Sequence, residues 1–251
     1  MINMKTNLYS LEGKVLKQIE LPKVFSLSFR EDLIKRAVLS DESRLFQPKG
    51  NYVWAAMQTS AKYRGRKEMY GAIKNMGIPH LPREVQPKGN FGRVRKVPSS
   101  VKRRRAHPPK VEKKLVENVN KKEYLLALGS AVASSAVKDL VKFRCPISFE
   151  NLPLVLDNSF ENIKKTKEVL SVLSDLKCSD WVLSSKKKGS KSALIIVSGG
   201  NILKAARNIS SVDVVDVSNL TVKHFAPGTK FGRLVIYTEN SLKMIQERVN
   251  A

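Results

Sequence analysis

The chain has 251 residues, of which 42% are hydrophobic, so it can bury the core of one large domain or two small ones. Its 46 Lys and Arg residues against 22 Asp and Glu residues give a net charge of +24, which predicts a polyanionic partner, because a compact protein with that charge otherwise repels itself. A membrane surface is a weaker alternative, since the sequence has no apolar run of about 18 residues and no apolar secretion signal near Met1, and we expect the chain to stay in the cytosol.

The N-terminal part predicts a small β element followed by a helix. Residues 6–22 alternate apolar and polar side chains around Glu12 and Gly13, the pattern of two short strands joined by a turn. Ser28 and Glu31 then stand at capping-box spacing. Apolar residues recur after them on one helical face: Leu33, Ile34, Ala37 and Val38. We therefore expect a helix that packs against a core.

Regular hydrophobic patterning stops near Gln47 and resumes near Val111. From Ala61 to Lys110 the chain holds 15 Lys and Arg against two Glu, together with 5 of the 13 Gly and 6 of the 11 Pro. This composition disfavours long helices and strands and provides little apolar surface, so the segment alone should be disordered. A loop of that length inside a domain indicates a functional segment that an outside partner orders, and its charge predicts nucleic acid.

The second half of the chain predicts an α/β body. Asn120 and Glu123 occupy the cap and third positions of a helix whose apolar residues recur at 124, 125, 128, 132 and 136. Four apolar strands follow, at 152–157, 192–198, 212–218 and 233–238, and helical patterns separate them. Parallel strands need crossover helices, so the pattern predicts a three-layer α/β/α body with a mainly parallel four-stranded sheet. Residues 1–48 and 113–251 would form this body, and residues 49–112 a long extended basic loop inserted between two helices.

The sequence contains no recognisable catalytic, metal or cofactor motif. Gly199 and Gly200 lie between a strand and a helix, with Asp213 and Asp216 near the end of the next strand, but the full dinucleotide-binding motif is absent, which favours a tight turn. An RNA-modifying enzyme, methyltransferase-like, that uses this turn is the alternative function. The basic run from Lys186 to Lys191 is a second candidate for phosphate contact, with a solvated loop as an equal alternative. Cys145 and Cys178 predict small reduced hydrophobic side chains, and the three His residues lack ligand partners, so we expect no metal.

The insert has the chemistry of a peptide that threads between nucleic-acid helices. Lys and Arg neutralise phosphates, Gly permits close approach, and Pro keeps the chain extended. Aromatic rings interleaved with the charges can stack on unpaired bases, a mode typical of RNA: Tyr63, Tyr70, His80, Phe91 and His107. A flexible linker or a localisation signal such as KRRR is the plainer interpretation, and a chromatin-type DNA binder is a third.

Several segments together resemble the archaeal form of the large-subunit ribosomal protein L-four family. They are, in chain order, REDLIKRAV (30–38), HLPRE (80–84), FGRVRKVP (91–98) and RRRAHPPKVEKK (103–114). The resemblance implies a structural protein of the large ribosomal subunit, without catalysis, cofactor or homo-oligomer. Its globular α/β domain would lie on the subunit surface, and its loop would penetrate the large-subunit rRNA and line the nascent-peptide exit tunnel. Neighbouring ribosomal proteins and the nascent polypeptide would be further partners, and the protein would be cytoplasmic.

The resemblance and the charge pattern together predict two groups of site residues. The resemblance implies that Arg64, Gly65 and Arg66 belong to the tunnel-proximal segment, and that Arg83, Arg93, Arg95, Lys96 and the run from Arg103 to Lys110 belong to the rRNA-contacting limb. The predicted rRNA-binding residues are Lys62, Arg64, Gly65, Arg66, Arg83, Lys88, Arg93, Arg95, Lys96, Lys102, Arg103, Arg104, Arg105, His107 and Lys110. The predicted tunnel-proximal residues are Arg64, Gly65, Arg66, Met69, Tyr70, Lys74, Met76 and His80.

The insert changes composition along its length, which predicts a tip and an anchor. Residues 85–111 carry nine basic residues and no acid, so they should hold phosphates. Residues 67–82 carry few charges beside Met, Tyr and Ile side chains, which suits a passage that conducts a peptide. A short helix from Glu68 to Asn75, packed on a neighbouring protein or base, is the alternative. This tip is longer and more apolar than the Gly- and Arg-rich tip of the family.

Overall fold

The structure is a computed structural model that describes residues 4–145, 149, 151–178, 182 and 193–250. The chain divides into two compact units, which we call the body (Met1–Leu45 with Val116–Ala251) and the insert (Phe46–Leu115). The basic run from Lys186 to Lys191 lies outside the described residues. Among the described helices, no single one is long and apolar enough to span a membrane. One pair of consecutive helices, Lys121–Ser134 and Lys138–Arg144, reaches that length and apolar composition only when the two are taken together, and the pair is bent by 83°.

The described part of the chain alternates strands and helices. The strands are β1 (Lys5–Tyr9), β2 (Val15–Glu20), β3 (Arg83–Val85), β4 (Phe91–Val94), β5 (Leu154–Leu156), β6 (Ala193–Val197), β7 (Val212–Asp216) and β8 (Leu234–Thr238). The α-helices are α1 (Glu31–Ser43), α2 (Lys121–Ser134), α3 (Lys138–Arg144), α4 (Thr166–Asp175), α5 (Ile202–Arg207), α6 (Val222–Phe225) and α7 (Glu239–Asn250). Short 3-10 helices occupy Lys23–Ser26, Pro87–Gly89, Asn158–Asn162, Val217–Asn219 and Pro227–Thr229.

The sheet of the body has six strands in the order β2-β1-β5-β8-β6-β7. The four predicted strands are confirmed as β5, β6, β7 and β8, and their mutual pairings are parallel. The sheet has six strands and not the predicted four, because the predicted N-terminal pair of strands joins the same sheet as a hairpin. Its first strand pairs parallel with β5 through Leu8 and Val155, and the Thr6 hydroxyl donates to the Pro153 carbonyl at 2.9 Å. An isolated hairpin is marginal in water, and this pairing extends the sheet by two strands.

The side chains of the sheet alternate between two buried faces, which confirms the predicted three layers. On β6, Leu194 and Ile196 belong to one apolar cluster, while Ile195 belongs to the other. The first cluster also contains side chains from α1, α2, α6 and α7, and the second contains side chains from α3, α4 and α5. Period-two alternation with both faces apolar is the pattern of a parallel sheet covered on both sides.

The start of α1 differs from the sequence-based prediction. The Ser28 and Glu31 capping box is wrong, because Arg30 caps the helix and no side chain of the cap accepts a hydrogen bond. The backbone N–H of Arg30 instead donates to the Ser130 hydroxyl of α2 at 2.7 Å. A tertiary contact between two helices therefore fulfils the role that a local cap would have.

A second polar contact joins α2 to α1. The Tyr124 hydroxyl donates to the Asp41 carboxylate at 2.8 Å and accepts the backbone N–H of Val222 at 3.3 Å. Burial, with a further contribution from Asp41, raises the pKa of Tyr124 to about 12. The phenol therefore stays protonated and donates throughout the physiological range.

Both cysteines are buried thiols, which agrees with their predicted use as small hydrophobic side chains. Burial, and to a smaller extent the neighbouring Cys145, raises the pKa of Cys178 to about 12. A thiol with that pKa carries almost no thiolate at neutral pH and is a poor nucleophile or metal ligand. These side chains therefore contribute packing to the cluster around α3, α4 and α5.

In the described part of the body one arginine is buried, and its side chain contacts three structural elements. Arg233 is 2% exposed and donates to the Ala193 carbonyl, the His224 carbonyl and the Asp213 carboxylate, each at 2.8 Å. Burial lowers the pKa of this guanidinium, and the Asp213 carboxylate opposes that effect. The arginine therefore holds the start of β8 against β6 and α6.

We expect Arg233→Ala to lower the free energy of unfolding by about 3 to 5 kcal/mol, because the carboxylate and two carbonyls lose their buried partner. Urea denaturation of the purified chain measures this change. Arg207→Ala removes an exposed arginine of α5 and should change stability by less than about 0.5 kcal/mol. Equal effects of the two substitutions would show that the Arg233 hydrogen bonds contribute nothing specific to the fold.

Candidate nucleic-acid interface

The insert contains a short β-hairpin that the sequence pattern did not predict. Strand β3 pairs antiparallel with β4, with Arg83 opposite Val94 and Val85 opposite Phe91. The backbone of Lys62 extends this ladder, since its N–H donates to the Arg83 carbonyl at 3.0 Å and its carbonyl accepts the Arg83 N–H at 3.3 Å. The strands have three and four residues, which is too short for a recognisable hydrophobic period.

Two buried apolar residues and a set of hydrogen bonds order the segment before the hairpin. Ala61 and Ile73 are buried, and the Ile73 N–H donates to the Arg64 carbonyl at 3.0 Å. The Arg64 guanidinium donates to the Tyr70 carbonyl at 2.9 Å. Gly71 has a φ of +68°, and a Cβ there would lie 2.7 Å from an Arg64 guanidinium nitrogen. Arg64 therefore closes the turn, although the sequence predicts it as an rRNA-binding and tunnel-proximal residue.

Residues 66–78 form successive turns. The Met69 N–H donates to the Arg66 carbonyl at 3.1 Å, and the Ala72 N–H to the Met69 carbonyl at 2.9 Å. The alternative of a helix from Glu68 to Asn75 is therefore wrong. The positive φ angles at Gly71 and Asn75 give the reason, because they interrupt a right-handed helix. Six of the eight residues predicted to lie near the tunnel are exposed: Arg66, Met69, Tyr70, Lys74, Met76 and His80.

Arg95 is bound to other residues of the insert. Its Nε donates to the Glu84 carboxylate at 2.7 Å, and its Nη1 donates to the Val101 carbonyl at 3.1 Å. The two charged side chains retain only 17% and 27% of their exposure. Gly92 lies opposite this pair, and a Cβ there would come within 2.7 Å of the Glu84 Cβ. Arg95 therefore positions the chain after the hairpin, and its charge is already paired with a carboxylate.

The remaining predicted rRNA-binding side chains divide by exposure. Arg83, Lys96 and Gly65 are half-buried, like Arg64 and Arg95. The exposed members are Lys62, Arg66, Lys88, Arg93, Lys102, Arg103, Arg104, Arg105, His107 and Lys110. The consecutive exposed cations from 102 to 105 repel one another. A phosphate chain neutralises them, and its condensed counterions are released, which favours binding. This part of the insert is therefore the best-suited surface for a polyanion.

A groove of about 630 Å³ lies where the two ends of the insert run side by side. A Cβ added to Gly50 would lie 3.1 Å from a Val111 methyl group, so the backbones approach closely there. Four cations and one acid line the groove: Lys49, Arg105, Lys110, Lys113 and Glu112. Lys49 and Lys113 are not among the predicted site residues, because only the fold brings the residues near 49 beside those near 110.

The Gly199 and Gly200 turn of the body is occupied by a carboxylate. The N–H and the hydroxyl of Ser198 donate to Glu161 at 3.0 and 2.8 Å, and the Thr238 hydroxyl donates to the same carboxylate at 2.6 Å. A Cβ on Gly200, which has a φ of +93°, would lie 2.5 Å from the Glu161 carbonyl oxygen. The glycine therefore permits this close approach, and a phosphate at the turn would meet a negative charge.

The acidic residues near that turn also have partners. Asp213 pairs with Arg233, and Asp216 accepts a hydrogen bond from Ser218. Across the residues that the structure describes, no group of three or more His, Cys, Asp or Glu side chains could hold a metal ion. The geometry of the body therefore favours structural uses for these polar residues.

An α/β body that carries a cationic insert with exposed aromatic rings defines a class of polyanion-binding proteins. The sequence model of the Ribosomal protein L4/L1 family matches residues 19–248, and the chain belongs to this family. It is similar to the large ribosomal subunit protein uL4 of Methanospirillum hungatei, with 39% identity over 96% of this chain and 98% of that protein. The corresponding protein of Methanocaldococcus jannaschii is 40% identical over 98% of this chain and 99% of its own length.

Proposed function

We propose that the chain is a structural constituent of the large ribosomal subunit and binds large-subunit rRNA through its insert. The observation that carries this proposal is the run of exposed cations in residues 85–111, which contain no acid. Membership of the family and the similarity to the uL4 proteins over nearly the whole chain support it. The protein would act in the cytoplasm, as a single copy, beside neighbouring ribosomal proteins.

Within the insert, we propose that the exposed cations contact phosphates directly, while Arg64 and Arg95 shape the backbone that carries them. The proposed phosphate-contacting residues are Lys62, Arg66, Lys88, Arg93, Lys102, Arg103, Arg104, Arg105 and Lys110. His107 lines the cationic groove and has a ring that can stack on a base. Lys49 and Lys113 join this set because they line the same groove.

We propose that the turns of residues 66–78 lie near the nascent-peptide exit tunnel. The exposed side chains of this segment include the uncharged Met69, Tyr70, Asn75 and Met76. Its three cations and one acid give a net charge of +2, whereas residues 85–111 carry nine cations and no acid. A weakly charged surface suits a passage for many different peptides, because a strongly cationic one would retain acidic nascent chains. Met side chains adapt to varied neighbours, which fits the same use.

Sedimentation of cell extract tests the assignment to the ribosome. The chain should co-migrate with large subunits in a sucrose gradient and stay bound through a moderate-salt wash. Stripping at high salt should release it only together with subunit disassembly, because its binding surface would be buried in rRNA. Recovery of the chain only in fractions lighter than ribosomal subunits would contradict the proposal.

A catalytic role would require the Gly199 and Gly200 turn to accept a cofactor, and Glu161 already accepts the hydrogen bonds of that turn. We therefore expect isothermal titration of the purified chain with S-adenosylmethionine to show no binding. Glu161→Gln removes the negative charge at the turn and is the matched variant. Saturable binding to the unmodified chain, abolished by Gly200→Ala, would support the methyltransferase-like alternative.

A further inference from the structure

Among the described residues of the body, one aromatic ring is left exposed by the fold. Phe143, near the end of α3, is 87% exposed, the largest value among the large hydrophobic side chains of the described residues. It borders a groove of about 560 Å³ whose other lining residues come from α1, from the end of α3 and from the segment before β8. These residues are Glu31, Lys35, Arg144, Thr229, Lys230 and Phe231. An exposed ring of this kind beside a concave surface is a candidate contact site.

The walls of this groove are held in place by the fold. The Phe231 ring packs edge-on against Phe29, with ring centroids 4.7 Å apart. The Arg144 guanidinium donates to the Lys230 carbonyl at 2.7 Å. Gly232 has a φ of +79°, and a Cβ there would lie only 2.1 Å from the Leu140 carbonyl oxygen of α3. The segment before β8 is therefore pressed against α3, and the groove exists before any ligand binds.

The charges of the groove favour a nucleotide over a protein side chain. Three cations, Lys35, Arg144 and Lys230, line it against the single acid Glu31. Protein–protein interfaces are depleted of lysine, because burying an ammonium group against an apolar surface is costly. An unpaired nucleotide supplies a base face for an aromatic ring and a phosphate for the neighbouring cations.

The electrostatics of Arg144 agree with an anion at this place. Burial, with a smaller contribution from Arg233, lowers the pKa of the Arg144 guanidinium. Both effects disfavour its positive charge, and a phosphate close to it would oppose them by favouring that charge. The carbonyl of Lys230 accepts one N–H of this guanidinium, which fixes its orientation beside the groove.

We propose that an unpaired base of structured RNA stacks on Phe143, with the adjoining phosphates beside Lys35 and Lys230. This interaction rests on the proposed function, since large-subunit rRNA supplies the nucleotide. It gives the body its own RNA-binding site, separate from the phosphate-contacting residues of the insert. The exposed ring thereby acquires a partner that the isolated chain lacks.

Filter binding of the full-length chain to transcribed large-subunit rRNA tests this site. Phe143→Ala should weaken binding about tenfold, while Phe143→Trp, which keeps a stacking surface, should retain the affinity of the unmodified chain. The slope of log affinity against log salt should stay unchanged in both, because every phosphate-binding side chain remains. Lys35→Ala and Lys230→Ala should each lower that slope by about 0.7 to 0.9 units.

Leu126→Ala is the matched control, because it truncates another exposed apolar side chain of the body, 57% exposed on α2. Equal affinities for Phe143→Ala and Leu126→Ala would overturn the stacking interaction. Phe143→Ala that binds rRNA normally but no longer enters large subunits would also overturn it, and would identify a ribosomal protein as the partner. If the unmodified chain failed to bind rRNA, the proposed function itself would fail.

Discussion

Replacing Arg103, Arg104 and Arg105 with Ala will change how strongly the binding of large-subunit rRNA depends on salt. The slope of log affinity against log salt should fall by about two to three units. Each phosphate that the variant no longer neutralises contributes about 0.7 to 0.9 of this fall. All three side chains are exposed. Affinity should therefore fall most at low salt, where the released counterions contribute most. Filter binding at five or more salt concentrations measures the slope.

The melting temperature should stay nearly unchanged in this triple variant, because the three side chains have no part in either apolar cluster of the body. A matched triple variant replaces Lys164, Lys165 and Lys167, which are exposed cations of the body, with Ala. Its net charge changes by the same amount, yet its salt slope should fall by less. Equal slopes for the two variants would mean that general charge, and not the run in the insert, governs binding. A large loss of thermal stability in the arginine variant would make the run structural.

The core of the body was predictable because its pattern is strong and local. Apolar runs such as the one at 193–197 are buried on both faces, and this places them in the middle of a parallel sheet. The pairing of the N-terminal hairpin was not predictable in the same way. Its partner β5 lies far along the chain, and only the assembled sheet brings Leu8 beside Val155. The position of this hairpin in the sheet depends on tertiary packing that a local pattern does not encode.

The positive charge of the insert was predictable from the sequence, but the role of each individual cation was not. The sequence identifies Arg95 and Arg103 alike as cations in a basic limb. The fold pairs Arg95 with Glu84 and leaves Arg103 exposed. The difference arises from the β3–β4 hairpin, whose short strands carry no detectable period and place Glu84 beside Arg95. Phe143, unlike these charges, was not predictable at all. A single aromatic residue in a short helix gives no sequence signal, and its exposure is visible only in the fold.

Gly199 and Gly200 show why a partial motif is weak. A Gly pair after a strand fits both a phosphate-binding turn and a close approach of two backbones. The structure has the close approach, with Glu161 accepting the hydrogen bonds of the turn. Nothing in the local sequence links Glu161 to Ser198, since 37 positions separate them.

Deleting residues 93–105 should block incorporation into large subunits, whereas deleting residues 69–78 should leave incorporation largely intact. The first deletion removes seven exposed or half-buried cations, and the second removes only Lys74. Sucrose-gradient sedimentation of tagged variants measures incorporation. The second deletion should instead change tunnel-dependent behaviour, such as nascent-chain stalling or sensitivity to antibiotics that bind in the tunnel.

Each deletion also removes structure, so a substitution variant separates charge from fold. Deleting 69–78 removes the buried Ile73, and deleting 93–105 removes Val94 and Arg95, which hold the hairpin. Replacing Met69, Tyr70 and Met76 with Ser keeps the turns, because these side chains are 49%, 77% and 55% exposed. This variant should enter subunits at the normal level and alter stalling. If it failed to assemble while the 93–105 deletion was tolerated, residues 67–82 would be the anchor and residues 85–111 the tip, since assembly requires the side chains that hold rRNA.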